Sequence, residues 1–134
     1  MNGLVDKESM VMNQILVYAG AGLSILWGIA HLIPTRSVVK GFGEISVDNQ
    51  RIITMEWIVE GVALILIGVI AAVVTAIDPA SPVSKAVGGI AALGLLVLAV
   101  VSLFTGFKVS FLPFRLCPLI FSISAVLILV GCLG

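Results

Sequence analysis

The stretch from Arg51 to Ile77 constrains the fold of this chain most strongly. It is almost entirely apolar and long enough to cross a bilayer as one helix, because about 20 apolar residues at about 1.5 Å of rise each suffice. Two carboxylates, Glu56 and Glu60, interrupt it four residues apart, which puts both on one helix face. A carboxylate inside a membrane span is costly and therefore indicates a functional site.

The composition of the whole chain also points to a membrane. Hydrophobic residues make up 60% of the sequence and charged residues 10%, whereas a soluble domain has about 25% charged residues. The chain is therefore predicted to be one integral membrane domain, residues 1–134. Its formal net charge of +0 gives no basis for nucleic-acid binding.

Apolar runs bounded by prolines, glycines and charged residues predict an all-α fold, a four-transmembrane-helix bundle with antiparallel up-down topology. The spans are predicted at about residues 11–33, 51–77, 82–107 and 113–133. Residues 1–10 are expected to form a polar tail outside the membrane. The connection between the first two spans mixes charged and apolar residues, which is typical of a short interfacial segment.

Two of the spans carry capping signals at their starts. Asp48 is the expected N-cap of the second span, and Ser81 followed by Pro82 predicts the N-cap and first residue of the third. Such side chains accept hydrogen bonds from first-turn N–H groups, which have no partner within the helix.

The positive charges are divided unequally between the two sides of the predicted bundle. Two of the seven, Lys7 and Lys85, belong to the side of the termini. The side of the first and third loops carries the other five: Arg36, Lys40, Arg51, Lys108 and Arg115. The positive-inside rule therefore predicts cytoplasmic first and third loops and extracytoplasmic termini.

When depth is estimated along each predicted span, most polar and aromatic residues lie in the half of the bilayer nearest the first and third loops. The candidate ligand- or proton-binding residues are Glu60, Glu56, His31, Ser24, Trp27, Trp57, Ser102 and Ser124. The opposite half is expected to be a dry packing of Leu, Ile, Val and Ala. This distribution predicts a pocket of half-membrane depth, because a pore needs polar groups through both halves.

Each carboxylate has a functional and a structural interpretation. Glu60 either exchanges a proton or binds a ligand, or it accepts hydrogen bonds from Ser24, Ser102 or Ser124 and only holds the helices together. Glu56 either forms an interfacial ion pair or contributes to a ligand site.

His31 is the single histidine of the chain. With Glu56 and Glu60 it is a candidate two-carboxylate, one-histidine metal site, the alternative being a hydrogen-bonding group at a helix end. Trp27 and Trp57 fit an interfacial aromatic belt or the stacking of a flat ligand. The chain has no nucleotide, metalloprotease or hydrolase motif, so no cofactor is assigned and enzymatic activity has the least support.

The first span ends in the pattern G-x-x-H-L-x-P, from Gly28 to Pro34, within the segment GLSILWGIAHLIPTRSVVKGF. With the helix layout, this segment resembles small four-helix membrane proteins of the DoxX-like type. The resemblance implies a helical membrane fold and a role in redox or quinone-associated membrane complexes, or in their assembly. It implies no catalytic residue.

Three functions are compatible with these features. The first is a ligand-binding protein or accessory subunit of a membrane complex, with its pocket around Glu60. The second is a proton-coupled transporter of small or lipophilic molecules that uses Glu60, and the third is a purely structural or assembly subunit. The expected partners are membrane lipid and either further copies of this chain or a larger membrane complex.

Overall fold

The computed structural model describes the backbone of residues 2–110 and 112–134, and within these ranges the side chains of residues 2–9 and 12 lie outside the description. The α-helices of the described ranges are α1 (Asn2–Leu32), α2 (Thr35–Gly41), α3 (Val47–Ile77), α4 (Pro82–Phe104) and α5 (Leu112–Leu133). Of these, α1, α3, α4 and α5 are long and apolar enough to cross a membrane. The predicted all-α four-helix bundle is confirmed, and the short segment between the first two spans is the seven-residue helix α2.

The first helix is longer than its predicted span. α1 begins at Asn2, although residues 1–10 were expected to form a tail, and its membrane-crossing part is Asn13–Leu32. Polar residues do not end a helix by themselves, and this segment contains no proline, so the helical hydrogen bonds continue through it.

The residue that caps the start of α3 is not the predicted one but Ser46. The Ser46 hydroxyl oxygen accepts a hydrogen bond from the Asn49 backbone N–H at 3.2 Å. The helix therefore begins at Val47, and Asp48 lies in its first turn, where a carboxylate favours the positive end of the helix dipole. The assignment of Asp48 as the N-cap was wrong.

The start of α4 is as predicted. Ser81 is the N-cap, its hydroxyl oxygen accepts a hydrogen bond from the Ser84 N–H at 3.1 Å, and Pro82 opens the helix. At its other end α4 stops at Phe104, three residues before the predicted end of the span, and the 3-10 turn Gly106–Lys108 follows.

The long helices are arranged in a ring. α1 packs against both α3 and α5, and α5 packs against α4, whereas α3 and α4 share a shorter contact. We call the end with the α1–α3 and α4–α5 connections the loop end, and the end with the α3–α4 turn the terminal end. The core between the helices is fully buried at Val17, Leu64, Leu95, Phe121 and Ile128.

Small residues let α1 approach its two neighbours closely. A Cβ atom added to Gly68 of α3 would lie 2.5 Å from the carbonyl oxygen of Ala21 on α1, and one added to Gly20 of α1 would lie 2.7 Å from the Ser124 carbonyl oxygen on α5. Membrane helices use such positions because packing, and not water exclusion, drives their association.

Candidate functional site

A cavity of about 270 Å³ lies between α1, α3 and α5 at the loop end. Its walls are mainly aromatic and include Trp27, Ala30, His31, Trp57, Phe114 and Cys117, with two prolines completing the lining. The lining contains no Asp, Glu, Lys or Arg. The cavity is therefore suited to an uncharged, largely apolar group.

Trp57 is the most firmly held ring of this wall. It stacks on the His31 imidazole, with ring centroids 4.0 Å apart and planes at 17°, and it meets the Phe114 ring edge-on at 5.2 Å. Its indole N–H donates a hydrogen bond to the His31 carbonyl oxygen. Because that carbonyl lies in the last turn of α1, where helical donors run out, Trp57 also caps α1.

His31 and Glu60 are brought together, as the sequence suggested. The His31 Nε2 and Glu60 Oε2 atoms are 3.2 Å apart, and the exposed fractions of the two side chains are 6% and 36%. The ring nitrogen makes no hydrogen bond with the carboxylate, so the two groups are close neighbours without a directed bond. The buried member of the pair is His31, and the site is centred there and not on Glu60.

Trp27 has a buried donor without a strong acceptor. Its indole Nε1 is inaccessible to solvent and has no nitrogen or oxygen acceptor among the described residues. The Cys117 sulfur lies within reach of this N–H as an acceptor, but sulfur accepts only weakly, so the indole has no full-strength hydrogen bond. The Cys117 thiol itself donates to the Pro113 carbonyl oxygen at 3.5 Å. A buried N–H without a partner costs about 1–3 kcal/mol.

The packing of α5 places Glu60 relative to the loop end. Phe114, in the first turn of α5, contacts Trp57, so Trp57 lies level with the start of that helix. Glu60 follows Trp57 by three residues and therefore lies about 4.5 Å further along α3 towards the terminal end.

Glu56 does not join this site. Its side chain is exposed, and it forms no ion pair within residues 2–110 and 112–134, where Arg51 pairs with Asp48 at 3.6 Å. No three His, Cys, Asp or Glu side chains converge as a metal site in the part of the chain that the structure describes. The predicted metal set of His31, Glu56 and Glu60 is therefore not assembled.

The serines serve packing and do not surround Glu60. The Ser24 hydroxyl donates to the Leu64 carbonyl oxygen at 2.8 Å, and the Ser124 hydroxyl donates to the Gly20 carbonyl oxygen. Ser102 lies on α4, a helix that contributes nothing to the cavity wall. The alternative in which Ser24 or Ser124 bonds to Glu60 is not realised, because each of these hydroxyls donates to a backbone carbonyl on a neighbouring helix.

A second cavity, of about 180 Å³, lies at the terminal end. Its polar lining includes Asn13, Gln14, Thr75, Ser84 and Lys85. Gln14 and Thr75 are polar residues that the sequence already placed in this half, and the structure adds Asn13, Ser84 and Lys85 to them around one cavity. The adjacent polar pairs Asn13-Gln14 and Ser84-Lys85 were the sequence signals for this cavity, but their convergence depends on helix register.

The four membrane-crossing helices define an integral, multi-pass membrane protein of the all-α class. No family model, no curated protein and no solved structure matches this chain. The resemblance to DoxX-like proteins stays a prediction.

Proposed function

We propose that this membrane protein binds a small lipophilic molecule in the loop-end cavity, as a ligand-binding protein or as an accessory subunit of a membrane complex. The observation that carries the proposal is the cavity of about 270 Å³ with aromatic walls and the single histidine in its lining. Pockets that combine apolar walls with a few convergent polar groups are the usual form of small-molecule sites.

The cavity has the rigidity that selective binding requires. Trp57 is held by the stack on His31, the edge contact with Phe114 and the hydrogen bond to the His31 carbonyl. A ligand therefore meets a wall that is already ordered, which lowers the entropic cost of binding. Aromatic contacts of this kind add about 0.5–1.5 kcal/mol each beyond the burial of area.

Thermal unfolding with an apolar probe tests the proposal. We expect 2-isopropylnaphthalene to raise the Tm of the purified protein in detergent, because a ligand that binds only the folded state adds about 2.7 kcal/mol at 100 times its Kd. Ala30→Phe, which fills the cavity from its wall, should remove this shift. Ala86→Phe on the exposed face of α4 is the matched control and should keep it.

Two outcomes would contradict ligand binding in this cavity. One is the absence of any Tm shift in the wild type over the soluble range of the probe. The other is an equal shift in Ala30→Phe, which would show that the probe stabilises the protein from another surface or through the detergent.

A second candidate function is proton-coupled transport through Glu60. The contact between the buried His31 ring and a carboxylate with 36% exposure supports it, since a proton on Glu60 has access both to the surroundings and to the interior. Proteoliposomes with an internal pH dye should then show substrate-driven proton movement that Glu60→Gln abolishes and Glu56→Gln preserves. Equal rates in both variants would rule out Glu60 as the exchange site.

A further inference from the structure

We infer that the ligand of the loop-end cavity is an uncharged compound dissolved in the acyl-chain layer of the membrane, which enters the cavity sideways between α1 and α5, beside Ala30. This inference rests on the proposed function, because it names the source and the charge of the ligand for the same cavity. It follows from where α1 and α5 separate, which lining residues are exposed and which side chains surround them.

The contact between α1 and α5 is close in the middle of the bundle and at the terminal end. A Cβ atom added to Gly131 would lie 2.5 Å from the Asn13 carbonyl oxygen, and one added to Gly20 would lie 2.7 Å from the Ser124 carbonyl oxygen. Further towards the loop end, side chains of both helices line the cavity instead. The cavity therefore lies in the crevice where α1 and α5 separate.

The exposed part of the lining lies on these two helices. Ala30 of α1 and Pro113 of α5 are exposed. By contrast, His31, Trp57 and Cys117 are buried and form the inner wall. The opening of the cavity is therefore between α1 and α5, and the closed side faces the interior of the bundle.

The side chains around this opening belong to a lipid-facing surface. Leu26 and Ile33 lie four residues before and three residues after Ala30, on the same face of α1, and they are 66% and 79% exposed. On α5, Leu112 lies next to Pro113 and is 63% exposed. Adjoining exposed apolar side chains mark contact with an apolar partner. In a bundle of membrane-crossing helices, that partner is the acyl-chain layer.

The lining and the route both select an uncharged ligand. The lining contains no Asp, Glu, Lys or Arg. His31 is the only lining residue that can carry a charge at ordinary pH, and the Glu60 Oε2 atom already lies 3.2 Å from its Nε2 atom. A charged ligand would have no free counter-charge in the cavity and would have to cross the acyl-chain layer to reach it, and both are strongly unfavourable.

Spin-label accessibility in proteoliposomes tests the position of the opening. A nitroxide on Ala30→Cys collides with oxygen, which concentrates in the acyl-chain layer, or with a polar nickel chelate, which stays in water. Leu93→Cys is the lipid reference, because Leu93 is 62% exposed in the middle of α4. Arg36→Cys on the exposed surface of α2 is the water reference. We expect the ratio of oxygen to nickel collisions at position 30 to match that at position 93 and to exceed that at position 36.

Two further measurements keep this test independent of the label at Ala30. Leu26→Cys carries the label next to the opening and outside the cavity lining, and its collision ratio should also match the lipid reference. The native cysteines Cys117 and Cys132 are buried, and the wild type treated with the same label measures the signal that they contribute.

A matched pair of probes tests the charge of the ligand. 2-Isopropylnaphthalene and 2-naphthalenesulfonate share their ring system, but only the sulfonate is charged. We expect the first to raise the Tm of the wild type and the sulfonate to leave it unchanged at the same concentration.

The outcomes separate this inference from the proposed function. Nickel collisions at positions 26 and 30 as frequent as at position 36 would overturn entry from the lipid and leave ligand binding intact. Equal Tm shifts with both probes would overturn the uncharged class. No Tm shift with 2-isopropylnaphthalene would overturn the proposed function and this inference together.

Discussion

The middle and the loop end of α1 lie within one helix but are built in opposite ways. In the middle, Ser24 donates to a carbonyl of α3 and Gly20 lies against the α5 backbone with no room for a Cβ atom. At the loop end, Trp27 has only a weak sulfur acceptor and His31 lines an open cavity. The first region is filled by close packing, whereas the second encloses unfilled volume.

This contrast is the reason for placing the proposed ligand at the loop end of the bundle. An unfilled cavity lowers stability, and the proposed occupant would offset that cost. The packed middle offers no such opening, and it holds the helices whose ends form the cavity. Substitutions in the two regions should differ in how much they lower the stability of the protein, and the largest loss is expected in the packed middle.

The largest effect is expected from a methyl group added to the packed middle. In Gly68→Ala the new Cβ atom would lie 2.5 Å from the Ala21 carbonyl oxygen, and relieving the clash should cost about 1–3 kcal/mol of unfolding free energy. Gly22→Ala is the matched control, because nothing lies within 4 Å of its Cβ position. Thermal unfolding in detergent should rank Gly68→Ala well below both Gly22→Ala and the wild type, and similar Tm values for the two variants would refute close packing at Gly68.

An intermediate effect is expected from comparing the two indoles. Trp57→Phe removes the hydrogen bond to the His31 carbonyl, which should cost about 1–2 kcal/mol because that carbonyl has no helical donor. Trp27→Phe removes at most a weak hydrogen bond to the Cys117 sulfur and should cost less than half as much. Denaturant titrations of the two variants measure this difference. A larger loss in Trp27→Phe would show that its N–H is strongly bonded after all.

The smallest effect is expected at Ser24. Its hydroxyl bonds to a Leu64 carbonyl that also belongs to the hydrogen-bonding pattern of α3, so the carbonyl keeps a partner in Ser24→Ala. The cost should be about 0.6 kcal/mol, the average for hydrogen bonds between membrane helices, and ligand binding should be unchanged. A double variant with Trp57→Phe should show additive losses, and strong coupling would argue against two separate regions.

The sequence predicted the spans because apolar length and terminal capping are local properties. Ser81 and Pro82 are adjacent in sequence and act within one turn, so the start of α4 could be read directly. The prediction of Asp48 as the cap of α3 was wrong because Ser46, two residues earlier, can accept the same hydrogen bond. The local sequence does not show which of these two side chains caps the helix.

The site was less predictable because it depends on register between helices. His31 and Glu60 were grouped by their estimated depth, and the structure brings them together. The close contact of Gly28 with Gly61 fixes the relative position of α1 and α3 along their axes. In that register Ser24 lies opposite the Leu64 carbonyl and not opposite Glu60. A chain read one helix at a time cannot show which hydroxyl meets which carbonyl.

Fluorine NMR gives the most direct test of the central claim that the loop-end cavity is a ligand site. Protein labelled with 5-fluorotryptophan carries two signals, from Trp27 and Trp57, and both rings line the cavity. We predict that 2-isopropylnaphthalene moves both signals to saturation in the wild type and in Ala86→Phe, and moves neither in Ala30→Phe. Signals that drift without saturation, or that respond equally in Ala30→Phe, would contradict the account.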